Sequence, residues 1–187
     1  MIVAGLGVGI AFRAGMFNIG GRGQMLMAGA AAGWVGFKLD LPTVIHLPLA
    51  IIVGMLAGAA WGGLAGLIKA RTGAHEVILT IMLNYVAFYL VSYALTKKNL
   101  LQSPGSDNPK SLPMRDTAIL PKIAGDSFNL HLGFLLALIA VGVVWWILER
   151  SSLGFKMRAV GINPTAARAS GTNVGRIYIV VMSISGA

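Results

Sequence analysis

Residues 151–175 read SSLGFKMRAVGINPTAARASGTNVG and form the longest polar break on one side of an otherwise apolar chain. Asn163 suits a helix N-cap, Pro164 suits the first helical turn, and Gly171 suits a C-terminal cap. The stretch therefore predicts one short helix of about two turns, which is too short to be stable alone in water. We expect it to dock on a partner, because its alanines form a small face that suits a groove.

The composition places this stretch in a membrane protein. Of the 187 residues, 56% are hydrophobic and 11% are charged, with a mean hydropathy of +0.77, whereas soluble domains have about 25% charged residues. The net charge of +9 arises mostly from breaks between apolar runs, which favours contact with lipid headgroups over nucleic acid. The absence of cysteine excludes disulfides, thiolate metal sites and cysteine nucleophiles.

Apolar runs predict an all-α, polytopic helical bundle in the membrane. They predict about four complete spans between two truncated ones, because a span needs about 20 residues. The first run ends at Arg13, and the other five cover 16–37, 47–68, 77–95, 132–148 and 177–187. Both end runs are short, so we expect residues 1–187 to be a single membrane domain, cut at both ends from a longer protein.

The distribution of basic residues predicts the orientation. One side collects nine of them: Arg13, Arg22, Lys69, Arg71, Arg150, Lys156, Arg158, Arg168 and Arg176. The other side has six: Lys38, Lys97, Lys98, Lys110, Arg115 and Lys122. Because basic residues favour the cytoplasm, we expect loop 150–176 to be cytoplasmic and the proline-rich loop 96–131 to be external.

A glycine ridge marks the run at 47–68. Gly54, Gly58, Gly62 and Gly66 recur at a spacing of four, which puts them on one helix face. This spacing predicts close packing against another helix within the bundle.

The segment FNIGGRGQ at 17–24 interrupts the second apolar run. It includes Phe17, Asn18 and Gln24 together with three glycines and Arg22. Free backbone groups at membrane depth are tolerated only inside protein or along a water-filled path, and broken helices of this kind often form the substrate region of transporters. The alternative is an ordinary turn before a span that starts near Gln24.

A polar ridge opens the run at 77–95. Glu76, Thr80 and Asn84 lie on one helix face, and Tyr85 and Tyr89 lie on a neighbouring one. Asn84 and these rings could offer hydrogen bonds and a ring face to a sugar or a base. Alternatively, Asn84 joins two helices and the tyrosines pack or anchor at an interface.

Enzymatic motifs are incomplete. His75-Glu76 would need a second histidine at position 79 to form a zinc-protease motif, and that residue is Leu79. The chain has neither a nucleophile elbow nor a phosphate-binding loop, so we predict no catalytic residues, no metal site and no ATP hydrolysis by this chain.

Three separated motifs resemble a known family. AFRAGMFNIGGRGQMLMAG, GAHEVILTIMLNYVAFYLVSY and LGFKMRAVGINPTAARASG are similar, in collinear order, to permease subunits of bacterial ABC importers for nucleosides and simple sugars. The wider superfamily includes ribose and branched-chain amino-acid permeases. The resemblance implies a second permease subunit, two cytoplasmic ATP-binding subunits, an extracytoplasmic substrate-binding lipoprotein, and a location in the bacterial inner membrane.

The resemblance also implies residue roles. The ATPase-coupling loop would include Gly154, Arg158, Ala159, Gly161, Asn163, Ala166, Ala167 and Gly171. The translocation pathway would include Phe17, Asn18, Gln24, Glu76, Thr80, Asn84 and Tyr85. Arg22 departs from the family, in which the position is often acidic.

We therefore expect an ABC permease subunit for nucleosides or simple sugars that binds no cofactor and relies on partners to hydrolyse ATP. A branched-chain amino-acid permease, an ATP-independent secondary transporter and an intramembrane hydrolase are the alternatives. The substrate itself stays open, because nucleosides and hexoses would both suit a cavity of asparagine, tyrosine and backbone amides.

Overall fold

The computed structural model describes residues 1–98, 100–103, 108–121 and 131–187. Over these ranges the chain forms eight α-helices, a 3₁₀ turn at Asp116–Ala118 and no strand. The helices are α1 (Ile2–Arg13), α2 (Gly21–Lys38), α3 (Thr43–Thr72), α4 (Glu76–Leu95), α5 (Leu132–Arg150), α6 (Ser152–Ile162), α7 (Pro164–Ala169) and α8 (Val174–Gly186). The predicted all-α membrane bundle is confirmed.

Three helices in the described part of the chain are long and apolar enough to cross a membrane. They are α3 with 30 residues, α4 with 20 and α5 with 19, while α1 and α8 are shorter apolar helices. The predicted second span differs from the helix that forms: α2 begins at Gly21, five residues after the start of its apolar run. Arg22, Gln24, Lys38 and the glycines of α2 also lower its mean hydropathy, so it falls outside this group.

The glycine ridge on α3 packs as its spacing predicts. A Cβ on Gly62 would overlap the carbonyl oxygen of Met182 in α8, and one on Gly66 would lie 2.7 Å from that of Tyr178. Gly54, nearer the start of α3, faces α2 instead. Helix α3 therefore approaches α8 at distances that only glycine allows, and its contact with α2 at Gly54 is tight but longer.

Helix α5 lies at the edge of the bundle. Its one buried residue is Ala137, and large apolar side chains such as Ile139 are more than half exposed. An apolar face without protein contacts suits the hydrocarbon of a bilayer.

Ion pairs at the two ends of the bundle agree with the two groups of basic residues. Arg115 pairs with Asp40 at 2.7 Å beyond α2, whereas Arg13 and Arg158 both approach Glu149 at the end of α5. Which end faces the cytoplasm stays a prediction. Pro104 and Lys122, which the sequence places in the external loop, lie outside the described residues.

The basic loop contains two helices, where the sequence analysis predicted one. The predicted helix is α7, whose N-cap Asn163 accepts hydrogen bonds from the backbone N–H groups of Thr165 and Ala166, both at 3.0 Å. Gly171 follows two residues after its end, with φ +84°, and the N–H of Thr172 bonds back to the carbonyl of Ala167. This is a Schellman motif, which requires a left-handed residue at that position.

The additional helix is α6. Ser151 caps it by accepting a hydrogen bond from the N–H of Gly154 at 3.1 Å. Its two glycines, Gly154 and Gly161, lower its intrinsic helix propensity, which explains why the sequence alone did not indicate it. Tertiary packing compensates, because Met157 and Val160 are fully buried in the core.

We predict that Gly62→Ala destabilises the bundle by about 1–3 kcal/mol, the usual cost of forcing extra atoms into a packed interior. The matched control is Gly142→Ala in α5, where an added Cβ meets nothing within 4 Å. Thermal unfolding of the two variants in detergent measures the difference. Equal melting temperatures would contradict the close α3–α8 contact.

Candidate functional site: a polar cluster around the start of helix α2

The chain between α1 and α2 is not helical. Gly15 lies two residues beyond the end of α1 and has φ +67°. The N–H of the next residue, Met16, bonds back to the carbonyl of Ala11 at 3.0 Å. The next helical residue is Gly21, so the peptide groups in between need partners outside a helix. We call residues 14–20 the unwound segment.

The start of α2 lies inside the bundle. The side-chain nitrogen of Gln24 lies 3.1 Å from where a Cβ on Gly62 would be. Since α3 ends at Thr72, this level is about 15 Å from that helix end at a rise of about 1.5 Å per residue. The unwound segment follows Arg13, which pairs with Glu149 at the end of the bundle, and leads to Gln24 at this depth. Its inner part is therefore a break at depth and not a surface turn, while a role in substrate binding stays a prediction.

Asn18 is the centre of one group of hydrogen bonds. Its side-chain nitrogen donates to Gln24 Oε1 at 3.0 Å and to Ser185 Oγ at 2.7 Å. Its oxygen accepts the N–H of Gly20 at 2.9 Å. Ser185 in turn donates to the carbonyl of Gly7 at 2.6 Å. Asn18 and Gln24 are almost fully buried, so these bonds join α1, α2, α8 and the unwound segment in a low-dielectric interior.

Asn84 of α4 caps α2 from a neighbouring helix. Its Oδ1 accepts the N–H of Gly23 at 2.7 Å, and its Nδ2 donates to the carbonyl of Ile19 at 3.0 Å. Gly23 is in the first turn of α2, where N–H groups have no partner within their own helix. The Cβ of a residue at position 23 would lie 2.9 Å from Asn84 Oδ1, so glycine permits this approach.

Glu76 connects the same segment to α3. Its Oε2 lies 2.5 Å from Lys69 Nζ, and its Oε1 accepts the N–H of Phe17 at 3.4 Å. Lys69 also lies 5.2 Å from the ring centroid of Tyr178 in α8. Thr80 is buried one turn further on and donates to the carbonyl of Glu76 at 2.8 Å.

Five of the seven predicted pathway residues meet in this cluster. They are Asn18, Gln24, Glu76, Thr80 and Asn84. Phe17 joins through its backbone and is 53% exposed, and Tyr85 on α4 is 63% exposed. The role of these residues in translocation stays a prediction. The geometry shows that Asn84 joins two helices, as the alternative interpretation proposed.

Sequence reasoning missed Ser185 and Lys69. Ser185 is one of two serines that interrupt the apolar run of α8, which is a weak signal because such serines often bond only to their own helix. In the sequence, Lys69 is one of the basic residues at a span end. Its partner Glu76 lies on the next helix, so the pair depends on how α3 and α4 pack together.

The coupling-loop residues divide into packed and exposed groups. Gly154 is buried against the end of α5, and a Cβ on Gly161 would lie 2.5 Å from the carbonyl oxygen of Arg13. Ala167 is 4% exposed and belongs to the core, so the expectation that the alanines of this helix form a free face is wrong for Ala167. Its neighbour Ala166 is exposed, as is Asn163.

The remaining predicted coupling residues lie between these groups or at the surface. Ala159 is partly buried, and Gly171 is exposed. Arg158 is partly buried and donates to the carbonyl of Leu148. Two large exposed side chains that the sequence analysis did not single out are Phe155, at 67%, and Ile162, at 86%.

In the described part of the chain, no three His, Cys, Asp or Glu side chains are close enough to share a metal ion. Long apolar helices packed through glycine define an integral membrane protein. The chain belongs to the family described as the permease component of branched-chain amino acid transport systems, which matches residues 1–187. The resemblance to ABC permeases is thereby confirmed.

Similar proteins carry more specific names. The guanosine ABC transporter permease protein NupP of Bacillus subtilis is 43% identical over 100% of this chain and 53% of its own length. The glucose ABC transporter permease protein TsgB13 of Haloferax volcanii is 35% identical over 100% and 51%. The nucleoside ABC transporter permease protein NupB of Lactococcus lactis is 32% identical over 100% and 53%. The chain thus spans about half the length of these relatives. No solved structure matches it.

We predict that Asn84→Leu destabilises the protein by about 1–3 kcal/mol, because it leaves the N–H of Gly23 buried without an acceptor. Ser92→Leu, a polar-to-apolar change two turns further along α4, is the control and is expected to have a smaller effect. Thermal unfolding in detergent compares the two. A smaller loss for Asn84→Leu than for Ser92→Leu would show that the cap across helices is dispensable.

Proposed function

We propose that the chain is part of the permease subunit of an ABC importer and forms a pathway for nucleosides or simple sugars. The observation that carries this proposal is the break between α1 and α2 inside the bundle, because interrupted helices at membrane depth are typical of transporter binding regions. The names of the relatives support nucleosides and sugars as substrates.

The exposed surface of α6 and α7 suits a protein partner in the cytoplasm. Phe155 and Ile162 are seven residues apart and so lie on the same face of α6. Lys156 and Arg168 are exposed beside them and add positive charge. An apolar helix face with a basic border suits a groove with an acidic rim, which we assign to the ATP-binding subunits.

Packing offers a route from this surface to the polar cluster. Gly161 touches the end of α1 backbone to backbone, and α7 leads directly into α8 through the N-cap Asn173. Helix α8 contacts Lys69 through Tyr178, and Lys69 pairs with Glu76. Movement of the loop would therefore shift the helices that hold the unwound segment, in a rigid-body rocking motion.

The complete transporter in this proposal has two permease subunits, two ATP-binding subunits that hydrolyse ATP, and a substrate-binding lipoprotein outside the cell. The permease is a multi-pass protein of the bacterial inner membrane and has no enzymatic activity of its own. Branched-chain amino acids are a second candidate substrate class, because the family description names them.

The test is uptake by the full-length permease reconstituted in proteoliposomes with the transport proteins encoded beside it. We expect ATP-dependent accumulation of guanosine or glucose and none of leucine. Leucine uptake alone would transfer the assignment to branched-chain amino acids. Uptake that follows an ion gradient without ATP would refute the ABC proposal.

We predict that Phe155→Ser combined with Ile162→Ser lowers the recovery of the ATP-binding subunits with the purified permease by about tenfold or more, since central apolar anchors dominate such interfaces. Ile119→Ser removes an exposed apolar side chain at the opposite end of the bundle and serves as the control. Affinity purification followed by quantification of the bound subunits gives the result. Full recovery with the double variant would place the docking surface elsewhere.

A further inference from the structure

Arg22 lies level with the middle of the span α4, and not at the end of the bundle where the distribution of basic residues placed it. It lies in the first turn of α2, is exposed, and has its guanidinium carbon 5.9 Å from the ring centroid of Phe88 in α4. Phe88 is about 18 Å along the helix from Glu76 and about 10 Å from Leu95. The charge is therefore far from both ends of α4.

None of the acidic side chains in the described ranges pairs with Arg22. Glu76 pairs with Lys69, Glu149 lies between Arg13 and Arg158, and Asp40 pairs with Arg115. Within the described residues, its guanidinium contacts the ring of Phe88. A cation–π contact at an exposed site stabilises the folded state by only about 0.5–1 kcal/mol.

Hydrocarbon is an unfavourable environment for this side chain. An arginine at the centre of a span costs about 2.5–3.5 kcal/mol on insertion scales, and such residues face the bundle interior or a water-filled cavity. The contrast within the molecule is α5, whose exposed face around Ile139 is apolar. Its charge thus distinguishes the position of Arg22 from the apolar, lipid-facing surface of α5.

We propose that Arg22 lines the water-filled path through the membrane and binds the solute directly. Its guanidinium donates hydrogen bonds to carbonyl or hydroxyl oxygens of a neutral, oxygen-rich solute. The exposed rings of Phe88 and Tyr85 offer apolar faces to the same solute. The fixed positive charge also disfavours cations. The class of solute rests on the proposed function. The water-filled path does not, because it is inferred from the charge and the depth of Arg22.

Cysteine labelling tests the position, because residues 1–187 include no native cysteine. Arg22→Cys and the control Ile139→Cys are made in the full-length protein with any other cysteines replaced, and each is exposed in membranes to a membrane-impermeant, charged methanethiosulfonate. We expect the cysteine at position 22 to react at least about tenfold faster than the one at 139, since only thiolates in contact with water react. Equal, slow labelling would mean that lipid or an acidic segment of protein covers Arg22, which overturns the inference.

Solute protection tests the binding role. A saturating concentration of the transported solute should slow labelling at position 22 by about fivefold or more, and should leave a cysteine at 139 unaffected. Arg22→Lys should retain more uptake than Arg22→Gln. The loss should appear as a higher KM for Arg22→Gln, because removing the charge weakens binding of the solute. Labelling that no solute slows, in a transporter that is active, would refute contact with the solute. Labelling in a complex that never transports supports the water-filled path and contradicts only the proposed function.

Discussion

Every backbone amide inside a bilayer must find a hydrogen-bond partner within the protein, and this constraint governs the centre of the molecule. The chain leaves helical geometry between α1 and α2, so the N–H groups of Phe17, Gly20 and Gly23 cannot bond to their own helix. Side chains accept them instead, Glu76 and Asn84 from α4 and Asn18 from within the segment, and these bonds hold the unwound segment in place. A buried N–H without a partner would cost about 1–3 kcal/mol, which is a large fraction of a protein's stability.

Close helix packing makes these short polar contacts possible. Asparagine and serine side chains reach only a few ångströms, so they bridge helices only where the backbones are close. Glycine supplies that proximity: Gly62 brings α3 against α8, and Gly23 brings α2 against Asn84. The glycine ridge and the polar cluster are therefore parts of one arrangement, since Gln24 lies beside Gly62 and bonds to Asn18.

The sequence predicted what depends on local or periodic signals. The Asn163 cap, the glycine spacing on α3 and the polar ridge beginning at Glu76 all follow from residues on a single helix, and the structure has each of them. The sequence did not indicate α6, because packing overrides its weak propensity. Nor did it indicate that Ser185 meets Asn18, because that pair is separated by most of the chain.

The pair formed by Lys69 and Glu76 connects the unwound segment to α8. Lys69 touches the ring of Tyr178 while its ammonium group holds the carboxylate of Glu76, and the same carboxylate accepts the N–H of Phe17. Displacement of α8 along α3 would move the ring from the ammonium group and change the position of the carboxylate. Because packed helices shift between discrete arrangements and do not deform continuously, a small movement at α7 would be passed to the unwound segment as a step. A break at this depth thus combines two properties, a non-helical backbone bonded to side chains inside the membrane and a packed connection to the surface of α6 and α7.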